Sequence, residues 1–525
     1  MGKIIVKTNS KLLLLATASL FAFGSAAQAQ GVPAPADTAE APGETVETTT
    51  DQAAEMEFLK AQVEALQAQV EQLSGRVTKA EPSWKGAPQW LDKDSGWSFK
   101  VRGRFQWDTA YLTEPDQLTA ANSAPSTTNG GAFSTVNPRN LGFNSRIRRL
   151  RLGVEGKLPS DFGYKFEADF ANASVGFGDV ILTYSPTGKP WNIALGNQES
   201  LDGLEQITSS RFISFMERSQ FNDAFNNTRR LGVNFGYVSN AFRLNLGVFV
   251  NHSIDATFNN EGWIGAARLV YAPQAMGGQL HFGVNYQHRE YGSQFHSVNY
   301  QARPFQQTTD VRFVQTGALP VNSDDIIGLE ALGIFGPLHV TAEGQYLSAK
   351  NLKAGEVLSP LDRSSASTFT PTGRTSFWGG YAEIGYFFTG ETRGYKEGTW
   401  DRTKVLKPLG KDGGWGALQG NLRVDYLKLN DKSLRQGGTN NLAGLYTTAT
   451  PAQIATNFLR GGEQLGLQGS LIWIPQDYVR FILQYVHTEI TGGPLAAVMD
   501  PTSTKLVTER SYGIDSVGVR AQFDF

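Results

Sequence analysis

From about residue 96 to its end, the chain alternates apolar and polar residues with a period of two. In "KVRGRFQWD", Lys100, Arg102, Arg104 and Gln106 alternate with Val101, Gly103, Phe105 and Trp107. "FGYKFEADF" sets Tyr164, Phe166, Ala168 and Phe170 against Lys165, Glu167 and Asp169. "FRLNLGVFV" and "YVRFILQYV" repeat the pattern with Arg243, Asn245, Arg480 and Gln484 on the polar face. Such alternation predicts β-strands with one apolar and one polar side. It suits either a soluble antiparallel sheet or the wall of a lipid-embedded barrel.

Two features separate those readings. Large aromatics flank the short turns: Tyr184, Trp191, Tyr237, Phe242, Tyr271, Trp473 and Tyr478 stand beside "YSPTGKPW", "YVSNAF", "YAPQAM" and "WIPQDY". Amphipathic rings favour the headgroup level, so this placement predicts an interfacial girdle. The connections are also asymmetric. Tight turns alternate with long loops at about 113–141, 198–228, 251–261, 290–325, 348–374, 430–461 and 491–510. Short turns on one rim and long loops on the other is an outer-membrane pattern.

The predicted strands are 97–111, 143–158, 162–171, 177–185, 191–197, 229–238, 241–250, 262–272, 278–289, 326–335, 338–347, 375–389, 415–429, 462–474, 478–489 and 512–525. The expected fold is therefore all-β, a 16-stranded antiparallel transmembrane β-barrel over residues 97–525. One connection breaks the rule: 390–414 falls on the short-turn rim yet is long, Gly-rich and basic. The last strand, "VGVRAQFDF", is expected to close on the first, with Phe523 and Phe525 facing outward at the periplasmic interface. A terminal Phe525 there is a natural handle for barrel-assembly machinery.

The N-terminal part has other periods. Residues 1–29 read as a signal peptide, with Lys3, Lys7 and Lys11, an apolar run, and Ala27-Gln28-Ala29 before a mature start at Gln30. Residues 30–54 have the composition of a disordered spacer. Over 55–80, Met56, Leu59, Val63, Leu66, Val70, Leu73 and Val77 form a heptad seam, which predicts a periplasmic coiled-coil helix. Residues 81–96, with Pro82 ending the helix, form a linker. After residue 30 no apolar run approaches the length of a transmembrane helix.

Composition narrows the chemistry. The net charge is −2 and there is no Cys. Nucleic-acid binding has no electrostatic support, and disulfides or Cys-linked lipids are excluded. The six His show no metal-ligand spacing, and no nucleophile–base pair stands out. The chain is expected to be neither an enzyme nor a cofactor or metal protein.

Any preference for anions must come from the placement of Arg and Lys. If the apolar faces meet lipid, Lys100, Arg102, Arg104, Arg149, Arg151, Lys165, Arg230, Arg243 and Arg268 face the lumen. Arg289, Arg423, Arg480 and Arg520 follow the same logic. The first five lie on neighbouring strands and can form one basic wall. Arginine suits phosphate because its planar fork donates two charge-assisted hydrogen bonds. Inward carboxylates are also expected, at Glu155, Glu167, Asp169, Glu330, Glu343, Glu383 and Asp425. Bracing ion pairs are the competing role for every Arg. Loop 198–228 is the expected constriction, with Arg211 and Arg218 as eyelet candidates or as structural partners of Glu217 and Asp223.

The stretches "RIRRLRLGVEGKLPSDFGYKFEADF", "LEQITSSRFISFMERSQFNDAF", "RRLGVNFGY" and "GYFFTGETRGY", with the terminal "VGVRAQFDF", carry a family likeness. From residue 97 to 525 the chain resembles the phosphate-selective porins of the O and P type. The resemblance implies a homotrimeric channel in the Gram-negative outer membrane, with a constricting third loop. It further implies a lumen that passes inorganic phosphate, polyphosphate or other small anions. Two alternatives stay open: a general non-selective porin, and an envelope tether that uses the coiled coil.

Overall fold

The computed structural model describes residues 49–525 except 81–82, 85, 93, 116–140, 172, 255–261, 292–296, 352–372, 411, 432–460, 494–495, 497–504 and 506–508. The expected leader, the spacer up to residue 48 and most of the long-loop tips lie outside the described residues. Helix α1 spans Thr49–Ala80. It starts earlier than the heptad pattern does, and its seam residues Met56, Leu59, Val63, Leu66 and Val70 are all exposed. No helix among the described residues is long and apolar enough to cross a membrane.

The rest is a closed barrel of 16 antiparallel strands. In chain order these are β1 (Ser98–Leu112), β2 (Gly142–Lys157), β3 (Phe162–Asp169), β4 (Gly176–Tyr184), β5 (Trp191–Glu199), β6 (Arg229–Ser239), β7 (Phe242–Val250) and β8 (Trp263–Tyr271). They continue as β9 (Gly278–Glu290), β10 (Val314–Phe335), β11 (Leu338–Asn351), β12 (Arg374–Phe387), β13 (Ala417–Lys428), β14 (Glu463–Gln476), β15 (Val479–Thr491) and β16 (Ser511–Asp524). Each wall strand pairs with the next in sequence, and β16 pairs with β1, from Ser516 opposite Leu112 to Asp524 opposite Arg104. Phe525 and Gly103 exchange backbone hydrogen bonds of 3.1 Å beyond that register. The Phe525 ring lies where a side chain at residue 103 would stand, so Gly103 gives the closing aromatic its seat.

Polarity is inside-out. In β13, Gln419, Asn421, Arg423 and Asp425 are buried, while Leu422 and Val424 between them are exposed. A soluble sheet would reverse that. Exposed and half-buried aromatics sit near both rims. Tyr184–Trp191 (5.9 Å), Phe242–Tyr271 (4.6 Å) and Trp473–Phe481 (5.5 Å) lie at the short-turn side, and Trp378–Tyr426 (4.8 Å) toward the long loops. Tyr478 departs from the expected girdle: its ring lies 4.5 Å beneath the Arg402 guanidinium and lines an inner cavity.

Three connections fold into the bore. The loop between β5 and β6 carries the short helices α2 (Leu204–Ile207) and α3 (Gln220–Ala224), and is mostly buried. Between β9 and β10, a short strand at Ser297–Ala302 pairs back on β10, and Phe305, Val311 and Phe313 are buried. That pairing extends β10 to Val314, well before the expected start at 326. The exceptional connection after β12 also turns inward. It forms a hairpin, Tyr395–Lys396 with Thr399–Trp400, whose two-residue turn has positive φ at Glu397 and Gly398. Such a turn tolerates few residues other than Gly at its second position. Trp400 is buried beside Leu204, Leu332 and Ile334. The expected linker 81–96 is also structured in part: Pro88–Leu91 adds to the edge of β1, with Gln89 opposite Lys100.

Ion pairs brace the inner wall. Arg520 grips Asp108 with two hydrogen bonds of 2.6 and 2.7 Å, both residues almost fully buried. Arg520→Met leaves the Asp108 carboxylate buried without its main counter-charge. It should cost ~3–5 kcal/mol, read as a lowered urea midpoint for unfolding from lipid vesicles. The double exchange Arg520→Met with Asp108→Leu should recover most of that loss.

Candidate functional site: a cation-rich cavity beside the inward loop

The cavity is built by β1 to β6 on one side and the inward loop on the other. Strict alternation would place only every second residue of β2 inward. A register shift between Gln106 and Trp107 of β1 marks a bulge at Arg148. The bulge puts Arg148 and Arg149 on the lumen side together, between outward Ile147 and Leu150. Arg148 was missed by period-two reasoning, and the signal for it was the doubled Arg between apolar residues three apart.

The loop is pinned across the bore by its own polar groups. Glu217 receives Arg148 at 2.8 and 3.0 Å and Arg520 at 3.0 Å. Glu205 receives Arg423 at 2.5 Å, while the Glu205 amide donates to Glu343 at 3.0 Å. The Met216 amide donates to Gln484 at 2.6 Å, and Ser214 donates to Glu383. Burial by itself would raise the pKa of Glu217, yet Arg148 and then Arg520 hold it well below the usual carboxylate range. From below, Arg393 reaches Glu383 at 3.1 Å and the Phe212 carbonyl at 3.1 Å.

The resulting cavity of about 110 Å³ gathers Arg102, Arg104, Arg149, Arg151, Lys165, Arg211, Arg218 and Arg229. Its carboxylates are Glu167, Asp179 and Glu199, so eight cations face three anions. Some are neutralised in place. Arg102 pairs with Glu155 at 2.5 Å, and Arg151 with Glu167 and Asp169 at 2.7 Å each. Lys165 pairs with Asp179, and Arg229 reaches Asp179 at 2.7 Å and Glu199 at 2.8 Å. Others are held mainly by neutral groups among the described residues. Arg149, 4% exposed, donates to Gln106 at 2.8 Å. Arg104 donates to Ser210 Oγ at 2.7 Å and Ser209 Oγ at 3.2 Å; its nearest carboxylate is Glu167 at 3.7 Å, and its Nε has no partner among the described residues.

The two loop arginines differ. Arg218 donates to the carbonyls of Glu205 and Thr208 at 2.9 and 2.8 Å and so stiffens the loop from within. Arg211 donates to Ser209 Oγ at 3.2 Å and pairs with Asp524 at 3.3 Å. Neither partners Glu217 or Asp223. Arg211 also lines a smaller cavity nearer the short-turn rim, with Arg393, Arg402 and Arg480.

The remaining expected residues lie elsewhere. Lys100 is half-buried on β1 opposite Glu155 in register. Arg243 is half-buried beside Gly398 of the inward hairpin. Arg268 is committed to Glu330 at 2.8 and 2.5 Å, Arg289 to Asp324, and Arg423 to Glu383 and Glu205. Arg230 lines a separate chamber on the long-loop side. Ser209, Ser210 and Arg229 belong to the cavity but were not singled out by alternation, since two lie on the loop and one at a strand start. No group of three or more His, Asp or Glu among the described residues could hold a metal ion.

Residues 121–525 match the family described as phosphate-selective porin O and P. The chain belongs to that family. This porin is 34% identical over 457 residues to a protein of Caulobacter vibrioides described only as uncharacterized, covering 85% of this chain and 77% of that one. It is 26% identical over 392 residues to Porin O of Pseudomonas aeruginosa, covering 67% and 77%. Among solved structures, OprB of Pseudomonas putida aligns with a TM-score of 0.48 at 10% identity, covering 82% of this chain and 95% of that one. The anion-selective porin from Comamonas acidovorans aligns at 0.42 and 11%, covering 82% and 100%. These structural likenesses are too loose to bear on the site. The fold and family place the protein in the outer membrane as a porin.

At the base of the loop, burial and then the Glu199 carboxylate push Asp202 up to about 7. A carboxyl whose folded pKa is raised favours the fold in its protonated form. Its contribution is complete below the ordinary Asp value of ~4 and is lost as pH rises through about 7. Hydrogen exchange of amides 200–207, corrected for intrinsic rates, should therefore quicken between pH 5 and 8.5. Asp202→Asn should flatten that dependence; an unchanged slope in the variant would remove Asp202 as its source.

Proposed function

We propose that this porin is a passive channel for small anions, phosphate or polyphosphate among them, and that the cation-rich cavity is its selective segment. The observation that carries the proposal is the surplus of positive charge there, eight cationic side chains against three lining carboxylates, with Glu155, Asp169 and Asp524 behind them as further partners. Arg104 and Arg149 are the centre of the site. Each is buried; Arg149 has no ion pair among the described residues, and the nearest carboxylate to Arg104 is Glu167 at 3.7 Å. Ser209 and Ser210 accept from Arg104, so their own hydroxyl protons are available to an anion. A phosphate entering the cavity meets guanidinium forks and hydroxyl donors together, and it relieves repulsion among the cations. The partly neutralised Arg102, Arg151 and Lys165 keep the attraction moderate, which passage requires. Arg211, with Arg480 below it, takes the anion toward the short-turn rim.

The mature chain, after removal of residues 1–29, is proposed to assemble as a homotrimer. Phe525, seated on Gly103 at the barrel seam, serves the assembly machinery. The exposed seam of α1 favours association of the N-terminal helices, which would give the periplasmic coiled coil a partner. A general, non-selective porin is the second reading. It is favoured by the pairing of Arg268, Arg289, Arg423 and Arg520 with carboxylates.

Reversal potentials in a salt gradient decide between them. The anion channel predicts current carried mainly by chloride, blocked by added phosphate. Arg104→Gln with Arg149→Gln should raise the half-blocking phosphate concentration at least about tenfold, because each removes a charge-assisted bond of ~1.5–3 kcal/mol. Cation-selective current, or block indifferent to both changes, would leave the general porin.

A further inference from the structure

Among the described residues, Arg211 alone lines both the inner cavity and the smaller one nearer the short-turn rim. Its guanidinium bridges the two. Nε donates to Ser209 Oγ at 3.2 Å on the inner side, and Nη1 donates to Asp524 at 3.3 Å on the rim side. The Arg211 side chain is 14% exposed, so solvent reaches it. The cavities differ in charge. Eight cations face three lining carboxylates in the inner one, whereas four arginines face Asp401, Asp477 and Asp524 in the other. An anion that moves from the first to the second loses most of the surplus that held it.

Asp524 stands at the boundary and is fixed there. It ends β16, and its amide donates to the Tyr478 carbonyl at 3.0 Å. Besides Arg211 it pairs with Arg402. Arg402 is anchored in turn: it donates to the Asp477 carbonyl and lies over the Tyr478 ring at 4.5 Å. The segment that carries Arg402 is anchored as well, since Trp400 and Val405 on either side of it are buried. Arg211 is held more lightly, by one serine hydroxyl and by Asp524. Of the three charges, Arg211 is therefore the one free to change partner.

We propose that Asp524 sets the release of the anion: it is a tethered carboxylate that competes with the passing solute for Arg211. An anion in the inner cavity draws Arg211 to itself, with a charge-assisted bond in place of the one to Asp524. When Arg211 returns to Asp524, the anion has lost one of its donors and leaves toward the short-turn rim. Arg402 shares the same carboxylate and so limits how strongly Asp524 draws Arg211. The proposal rests on the anion-channel reading and adds the step by which that site lets go, which passage requires as much as binding.

The test is the residence time of inorganic phosphate, read as the length of each block of single-channel chloride current through the purified porin in planar bilayers. Phosphate is added on the long-loop side. Asp524→Asn should lengthen each block about tenfold. Arg402→Gln frees Asp524 for Arg211 and should shorten it several-fold. In an Arg211→Gln background, Asp524→Asn should have no further effect. Equal lengthening in that background would make Asp524 a distant charge only, and no lengthening in either would leave it no role; each result overturns the proposal while the anion channel stands. The unmodified porin supplies a reading that needs no variant to fold. Its block should shorten as the voltage drives phosphate toward the short-turn rim, and a block that lengthens instead would mean that phosphate does not leave past Asp524. Absence of block at every voltage would overturn the anion-channel reading and the release step together.

Discussion

A strand that separates hydrocarbon from water must give one face to each, and every charge in this barrel is placed by that division. Leu422 and Val424 meet the outside, while Arg423 and Asp425 between and beside them are buried within. Once charges are confined to a narrow bore partly filled by its own loops, each must find a counter-charge, a hydrogen-bonding partner or water. That requirement organises the interior. It explains why the loop after β5 can lie buried although Glu205, Glu217 and Arg218 are on it: each meets an opposite charge or a carbonyl.

Two kinds of arginine result. Arg268 and Arg289 each fork onto one carboxylate, Arg520 forks onto Asp108 and also reaches Glu217, and their charge is spent on these partners. Arg149 is held by a glutamine amide oxygen and Arg104 mainly by serine hydroxyls, with Glu167 no nearer than 3.7 Å, so each guanidinium is positioned with little neutralisation. The distinction matters for a channel. A paired arginine gives a passing anion little, whereas one oriented by neutral acceptors keeps its charge for the solute. The same contrast recurs between Arg289 and Arg230 in the chamber on the long-loop side, where among the described residues Arg289 pairs with Asp324 and Arg230 donates to the Asn226 carbonyl.

Alternation in the sequence found the strands, because a wall facing two solvents repeats every second residue over hundreds of positions; the aromatic flanks and uneven loops were needed to make them a barrel. Alternation placed Lys100, Arg102, Arg104, Arg149 and Arg151 on one inner wall; the four arginines line the cavity, while Lys100 lies outside it opposite Glu155. It did not reveal Arg148, because a bulge shifts the phase by one and the pattern resumes beyond it. Nor did it find Ser209 and Ser210, whose positions depend on how the loop is tied to distant strands. The partners that sort bracing arginines from available ones lie far away in sequence: Arg268 and Glu330 are 62 residues apart, Arg520 and Asp108 are 412. The inward turn of 390–414 was visible only as an anomaly of length and charge. Its reason is the burial of Trp400 and the Arg393 contact with Glu383, neither of which is local.

The absence of Cys from the chain makes the central claim directly measurable, because any single introduced thiol is unique. Arg148→Cys, Arg149→Cys and Leu150→Cys are each exposed to water-soluble thiol reagents, one anionic and one cationic, with the porin in sealed vesicles. The account predicts that thiols at positions 148 and 149 both react from water, faster with the anionic reagent, and that the thiol at position 150 does not. Reaction at position 150 from water, protection at position 149, or a faster rate with the cationic reagent would contradict it.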